Sequence, residues 1–330
     1  ALTGMTSYLW IASYFGIVGS GDVAVPLDVS LPAAELCELI DRSDAEVFLY
    51  DELRRDAAEL AREKCPKLRY ILPMQPGAGS LPEAMESARR YSVQADPDAL
   101  CTIMFTSGTT GKSKGVMLTQ RNLAENATCL DMKLPSRAVT LSVLPIHHAY
   151  CLGMDILKAL SLGTVICIND SLMRVAKNIK LFQPDMMLMV PMMIETMGRK
   201  LKDAGNLPAE AVRREVFGEN LHTIFSGGAY LNPEWIDLFK TYGVTIQQGY
   251  GMTECSPVIS TNLAWAIRKE SVGQLMPNCE AKTVDGELWV RGSSVMQGYY
   301  KMPKETADTL EEGWLKTGDL GYVDEDGYVY

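Results

Sequence analysis

The sequence predicts an α/β protein: two parallel-sheet subdomains flanked by helices, followed by a small, β-rich, β-barrel-like subdomain. Three observations carry that prediction. Short apolar runs alternate with amphipathic helical stretches as far as Gln248, the pattern of successive βα units. At about Asn262 the pattern changes to short strands broken by Gly, Pro and Asp. A chain of 330 residues with 47% hydrophobic content also has material for more than one core. The expected divisions are residues 1–132, 133–262 and 263–330.

In the first division the apolar patch Tyr8–Val18 reads as an amphipathic core helix and Val23–Val25 as a strand. Pro32, pre-set for a first helical turn, opens a helix through Ile40. Val47–Tyr50 is a strand, Leu53–Glu63 a helix, and Tyr70–Leu72 and Thr102–Thr106 are strands. Pro73 to Pro82, with Gly77 and Gly79, is a surface connection. Thr119 is a good N-cap for a helix reaching about Met132. The second division offers strands at Val139–Leu144, Thr164–Ile168, Met186–Val190, His222–Phe225 and Val244–Gln247, with helices between. The third offers Ala281–Val284, Glu287–Val290 and Leu320–Val323. Asp185–Met197 concentrates methionines and reads first as a buried strand followed by a core helix. Because thioethers adapt, it could also line an acyl tunnel.

Charge and cysteine usage exclude several classes. A net charge of −10 and a pI near 5.0 argue against a nucleic-acid or anionic-membrane surface, while leaving room for a local basic pocket. The eight cysteines never fall as C-x-x-C, so a metal or disulfide framework is not expected and a reducing, cytoplasmic setting is. No positive n-region opens the chain and no apolar run reaches about 18 residues, so no membrane span is predicted. The sequence fixes no oligomeric state.

The chemistry centres on Cys101–Gly115. Strand Thr102–Thr106 runs into a loop holding Ser107, Gly108, Thr109, Thr110, Gly111, Lys112, Ser113 and Lys114. Glycines let backbone N–H groups approach phosphate oxygens, the hydroxyls can donate, and the lysines neutralise charge. This is not a Walker A loop, because Thr106 stands where its first glycine belongs. Three later turns could complete a nucleotide site. Ser226-Gly227-Gly228-Ala229 lacks side-chain bulk, so a flat ring could lie against it. Gln248-Gly249-Tyr250-Gly251-Met252-Thr253-Glu254 joins an aromatic to a carboxylate. Asp319, in Trp314-Leu315-Lys316-Thr317-Gly318-Asp319, could accept from both hydroxyls of a ribose.

Taken in order, these motifs resemble the adenylate-forming superfamily of acyl-CoA synthetases, luciferases and peptide-synthetase adenylation domains. Residues 107–115 match its S-G-T-T-G-x-P-K-G except that Ser113 replaces proline. Residues 248–254 match [DNEQ]-x-Y-G-x-T-E, and residues 314–319 match W-x-x-T-G-D. Ser271-Val272-Gly273, Glu287–Gly292 and Gly298-Tyr299-Tyr300 also resemble family segments and are read as structural. The resemblance implies an acyl-CoA synthetase N-terminal domain using ATP, Mg2+ and coenzyme A. By it, the nucleotide is bound by Thr106–Lys112, Lys114, Gly227–Ala229 and Gln248–Met252. Tyr250 stacks on adenine, Gln248 faces its amino group, Thr253 binds the α-phosphate, Glu254 and Thr109 hold Mg2+, and Asp319 anchors the ribose.

Leu144-Pro145-Ile146-His147-His148-Ala149-Tyr150 resembles the family's L-P-x-F-H segment, which implies that His148 adjoins the reacting carboxylate. His147 stands where an aromatic is usual. Amino-acid-activating relatives carry an aspartate in this segment, and Leu144–Leu152 has no acid, so a plain carboxylic acid, in particular a fatty acid, fits better. The wording of the chain, notably VMQGYYKMPKET, is most similar to long-chain acyl-CoA synthetases. The family's G-R-x-K hinge and C-terminal lid domain do not occur before Tyr330. The chain is therefore expected to be the N-terminal portion, able to bind nucleotide but poor at adenylation. Alternatives are an acyl-AMP ligase that loads a carrier protein and a non-catalytic nucleotide- or lipid-binding module.

Overall fold

The structure is a computed structural model and describes all residues except 87–92, 95, 107–112, 136 and 206. The chain forms two compact units, each discontinuous in sequence: Ala1–Arg121 with Pro145–His148 and Met296–Ala307, and Asn122–Leu144 with Ala149–Val295 and Asp308–Tyr330. No helix among the described residues is long and apolar enough to cross a membrane.

The first unit holds a parallel sheet of β1 (Leu2–Thr3), β2 (Pro26–Leu27), β3 (Val47–Tyr50) and β4 (Tyr70–Pro73), in the order β2-β1-β3-β4. Helix Tyr8–Gly19 starts where the Ser7 hydroxyl accepts from the Trp10 N–H, satisfying one of the unpaired amides of the first turn. Helix Ala33–Arg42 buries Leu36 and Ile40, one turn apart, while helix Arg55–Lys64 presents only Ala57, Ala58 and Ala61. Those small side chains let the second helix lie close against the first over Phe48 and Tyr50, which makes the core of this unit. The strand expected at Val23–Val25 is displaced. Ala24 exchanges backbone hydrogen bonds with Cys101 and Ile103, and it is the next residues, Pro26–Leu27, that pair with β1.

A larger departure follows. The apolar run at 102–106 is not a member of the parallel sheet running on toward a helix; β5 (Leu100–Thr106) pairs antiparallel with β6 (Lys114–Thr119), and the short strand Gly298–Tyr299 adds to the other side of β6. The ladder between these two strands closes at the pair Thr106↔Lys114. Within Lys114–Thr119, for which the sequence offered no element before the helix capped at Thr119, Val116 and Leu118 are both buried, the alternation of a strand. The helix that follows is Gln120–Thr128, shorter than expected.

The second unit is built on a seven-stranded sheet. Its strands are β7 (Val139–Ser142), β8 (Val165–Ile168), β9 (Met186–Met189), β10 (Thr223–Ser226), β11 (Thr245–Gly251), β12 (Val258–Thr261) and β13 (Gln274–Leu275), in the order β13-β12-β11-β10-β9-β7-β8. Strands β8, β7, β9, β10 and β11 run parallel; β12 and β13 are antiparallel additions. All four residues of β9 are buried, as the continuous apolar run at 186–189 requires, and the following helix Pro191–Asp203 buries Ile194 while Met192 is exposed.

Beyond it, β14 (Cys279–Val284) and β15 (Glu287–Gly292) form a hairpin across Asp285-Gly286, both at positive φ, which matches the twist of the flanking strands. Trp314–Leu320 and Leu310–Glu311 complete a four-stranded antiparallel sheet. The strand expected at Leu320–Val323 ends at Leu320, and Val323 makes only an isolated bridge to Val329.

Gly273 shows how closely the antiparallel additions sit. Its φ is +94°, and a Cβ there would lie 1.9 Å from the carbonyl carbon of Thr261. Gly273→Ala is expected to lower the unfolding free energy by about 2–4 kcal/mol in a denaturant titration, through backbone strain plus overpacking. An unchanged midpoint would show that β12 and β13 can separate freely.

Candidate functional site

Parallel strands in register end on one edge of a sheet, and the turns that leave that edge are brought together. In the second unit Ser226 of β10 is opposite Gln248 of β11, so the Ser226–Ala229 turn and the Gln248–Glu254 segment are neighbours. The glycine turn is not open along its whole length. A Cβ on Gly227 would meet the Tyr150 ring at 3.0 Å, so this ring already occupies the space that the missing side chain leaves. Gly228, at φ +82°, and Ala229 are exposed. The Ser226 hydroxyl is buried beneath them without a hydrogen-bond partner.

Gln248-Gly249-Tyr250-Gly251, expected as a turn after the strand, is the second half of β11. It keeps extended geometry because it changes partner, pairing antiparallel with β12 from Gly249 to Gly251. The turn begins at Met252, whose N–H donates to the Pro257 carbonyl at 2.9 Å. Gly251 has to be small, since a Cβ there would fall 2.0 Å from the Pro257 carbonyl oxygen. Thr253–Cys255 forms a short 3-10 turn, and Glu254 is buried within it. The amide nitrogen of Gln248 donates to the Lys269 carbonyl at 2.9 Å.

Behind this turn lies a residue that the sequence reading passed over. Asn126, fully buried, donates to the carbonyls of Cys255 (3.2 Å) and Val258 (2.8 Å) and to the Ser294 hydroxyl (2.9 Å), and accepts from the Val258 N–H (3.2 Å). One side chain therefore ties both ends of the loop that carries Thr253 and Glu254. One turn earlier, Asn122 donates to the carbonyls of Ser293 and Val295. Two asparagines at i and i+4, on the same helix face as buried Leu123 and Ala127, were the available signal.

Asp319 reaches the same place from the antiparallel sheet. The Thr317 hydroxyl accepts from the Asp319 N–H at 3.1 Å and donates to the Leu288 carbonyl at 2.6 Å, so the chain end of this strand is held in a local kink. Gly318, at φ +77°, sends its N–H to Glu287 at 2.8 Å. The outcome is a hydrogen bond of 2.6 Å from the Tyr250 hydroxyl to Asp319 Oδ2, across 69 residues. Burial and the Asp319 carboxylate both push the Tyr250 hydroxyl well above the ordinary phenol range, so it stays a donor.

The first unit carries the remaining expected residues. Thr106 and Lys114 are paired where the ladder of β5 and β6 closes, and the Lys114 ammonium lies 4.8 Å from the centroid of the Tyr299 ring. Ser107, Gly108, Thr109, Thr110, Gly111 and Lys112 lie outside the described residues. His148 is exposed in a turn closed by its own N–H donating to Pro145 at 3.1 Å. Its ring packs 4.2 Å from that of His147, whose Nε2 lies 3.5 Å from Asp28. Burial and the neighbouring imidazole push His147 down to about 4, outweighing Asp28; partial desolvation of the His148 ring, in a residue otherwise exposed, lowers it as well, against the pull of Asp28. Both rings are neutral at pH 7 and act as hydrogen-bonding groups rather than cations. Asp28 is itself desolvated, yet the Ser30 N–H and hydroxyl hold it below the usual carboxylate range.

Asp155, in the helical segment that follows Tyr150, was also unread, although an acid within an apolar helical run was the visible sign. The segment Cys151–Lys158 is a π-helix, a rare form that is often met near functional sites. Asp155 is fully buried; Oδ1 accepts from the Thr140 hydroxyl at 3.2 Å and Oδ2 has no partner. Burial pushes this carboxyl up to about 7. Because the folded chain holds the proton more tightly than the unfolded one, the contribution is complete below about pH 4 and is lost as pH rises toward 7, by at most about 1.4 kcal/mol per pH unit. Asp155→Asn is expected to flatten that slope in urea midpoints measured across this window. A variant that keeps the wild-type slope would assign it to another group.

This arrangement of a parallel sheet, its antiparallel extension and a separate small sheet is the fold of acyl-CoA synthetase N-terminal domains. The chain belongs to the AMP-binding enzyme family, whose model matches residues 1–300. It is 32% identical to 4-coumarate--CoA ligase-like 9 of Oryza sativa subsp. japonica, over 96% of this chain and 61% of that protein. It is 28% identical to the long-chain-fatty-acid--CoA ligase FadD15 of Mycobacterium bovis, over 98% of this chain and 63% of that one. The structure of the ATP-bound RpMatB-BxBclM chimera B3 matches with a TM-score of 0.86 at 26% identity, covering all of this chain and 67% of the other. The chain thus spans less than two thirds of the length of these two curated relatives.

Proposed function

We propose that this chain carries the nucleotide and acid sites of an acid–thiol ligase. The carboxylate oxygen of an apolar acid attacks the α-phosphorus of ATP, the bond to the β-phosphate breaks, and pyrophosphate leaves with the electron pair. Coenzyme A sulfur then attacks the acyl carbon and AMP departs. The observation that carries this reading is the hydrogen bond from Tyr250 to Asp319, which joins the expected adenine and ribose contacts at one point. Membership in the AMP-binding family and likeness to an ATP-bound structure support it.

In this reading Tyr250 offers adenine its ring face and orients Asp319 toward the ribose hydroxyls. Thr253 and Glu254, held from behind by Asn126, face the α-phosphate. Glu254 suits Mg2+: no three His, Cys, Asp or Glu side chains gather among the described residues, so the ion would take one carboxylate and draw the rest from phosphate and water, as this cation commonly does. Bound there, Mg2+ neutralises phosphate charge. The chain's own contribution is alignment and the exclusion of water. Neutral His148 donates a hydrogen bond to the acid. The two relatives are named for 4-coumarate and for long-chain fatty acids, which share an apolar body without an amine. We favour a fatty acid, since the methionine-rich β9 and the helix after it are adaptable walls. Eight free cysteines suit a reducing, cytoplasmic location.

Calorimetric titration with AMP tests the site. Tyr250→Ala and Asp319→Ala are each expected to weaken binding about tenfold or more, and Tyr250→Phe less, because it keeps the stacking ring and loses only the hydroxyl. Unaltered isotherms for both alanine variants would remove the assignment.

A further inference from the structure

Behind the loop that carries Thr253 and Glu254 lies a polar node flanked by two thiols. The Ser294 hydroxyl accepts from the Asn126 amide at 2.9 Å and from the Asn278 amide at 2.6 Å, and the Ser294 carbonyl accepts from the Ser256 hydroxyl at 2.8 Å. Each asparagine has a cysteine beside it. Cys129 stands three residues after Asn126, and its N–H donates to the Glu125 carbonyl at 2.8 Å, closing the last turn of helix Gln120–Thr128. Cys279 directly follows Asn278 and opens β14, with its N–H donating to the Met276 carbonyl at 2.9 Å. The shared hydroxyl thus draws the helix end and the start of β14 together, and the Asn278 N–H faces the Cys129 sulfur.

All eight cysteines are free, and three of them are partly exposed: Cys129, Cys167 and Cys279. Cys167 belongs to the edge strand β8, apart from the other two, so Cys129 and Cys279 are the pair that a small oxidant can reach. Burial raises the Cys129 thiol, against the pull of the Lys158 ammonium and the Asn278 N–H. Lys158 is fixed in place by donating to the Ala127 and Leu130 carbonyls at 3.0 and 2.7 Å. Burial, and then the charge of an ionised Cys129, push the Cys279 thiol up to about 12. With a cation beside it, Cys129 is the first of the two to become the nucleophilic thiolate. Cys255 also senses Cys279 but is fully buried.

We propose that Cys129 and Cys279 form a peroxide-sensitive modification site, whose closure to a disulfide displaces Asn126 and loosens the loop that carries Thr253 and Glu254. The Cys129 thiolate attacks a peroxide oxygen: an S–O bond forms, the O–O bond breaks, and hydroxide leaves to take up a proton as water. Cys279 sulfur then attacks the sulfenic sulfur, an S–S bond forms, the S–O bond breaks, and the second oxygen leaves as water with the thiol proton. Two thiols give up two electrons and hydrogen peroxide takes them. Thiol reductants reverse the bond by exchange.

The test treats the whole chain with hydrogen peroxide, for the wild type, Cys129→Ser, Cys279→Ser and Cys167→Ser. It reads cysteine linkage by peptide mass, hydrogen exchange of the Val258 amide, which donates to Asn126 at 3.2 Å, and AMP binding by calorimetry. Wild type and Cys167→Ser are expected to gain a Cys129–Cys279 linkage, to exchange the Val258 amide about fivefold faster or more, and to bind AMP about fivefold more weakly, all restored by dithiothreitol. Cys129→Ser and Cys279→Ser should show none of these changes; an alanine variant replaces either one whose thermal midpoint falls before oxidation. Absence of the linkage, or a linkage to Cys255 instead, would overturn the proposal. So would a complete linkage that leaves the Val258 exchange rate unaltered. The AMP measurement rests on the nucleotide reading of this chain. Reduced wild type that binds no AMP would remove that reading, while linkage and exchange would still decide the thiol pair.

Discussion

A single strand with two kinds of partner organises the larger unit. From Thr245 to Gln248, β11 is a parallel strand beside β10; from Gly249 to Gly251 it is an antiparallel strand beside β12. The backbone is approached closely along the antiparallel half: a Cβ on Gly249 would lie 3.1 Å from the Ser260 carbonyl oxygen where that half begins, and one on Gly251 would lie 2.0 Å from the Pro257 carbonyl oxygen where it ends. The parallel half delivers Gln248 next to the glycine turn. The antiparallel half aims Tyr250 at Asp319.

The buried polar groups around this strand are of two kinds. Asn126 has its amide engaged at four points, so it adds definition to the loop behind Glu254 without leaving a desolvated atom. Asp155 and Ser226 each keep a buried oxygen without a partner. Such atoms are destabilising, by about 1–3 kcal/mol for a lost neutral hydrogen bond. Asp155 lowers that penalty by keeping its proton near neutrality. The first group holds the site in place, and the second sits in an interior that tolerates polarity.

Much of the architecture was legible because it depends on local periodicity. The strands at 47–50, 70–73, 186–189 and 223–226, and the helices beginning near Tyr8 and Ala33, stand within a residue or two of where apolar spacing and end signals put them. The glycine turn after Ser226 was legible for a related reason, since close backbone approach leaves a mark in composition. The errors lie where a segment's partner is distant in sequence. Lys114–Thr119, for which the sequence offered no strand, pairs on one side with Gly298–Tyr299, far along the chain. Residues 248–251 are a strand because β12 takes over where β10 ends.

By itself, then, the chain's order of residues determined the α/β class, most element positions and the motifs that mark the AMP-binding family, since all of these reside in short windows of side-chain type and spacing. Only the tertiary structure decided that Tyr150 fills the space at Gly227, that Asn126 holds the loop behind Glu254, and that Tyr250 meets Asp319. Each of those contacts joins residues tens of positions or more apart, and nothing in a local window specifies which distant atom a side chain will find once the sheets have closed.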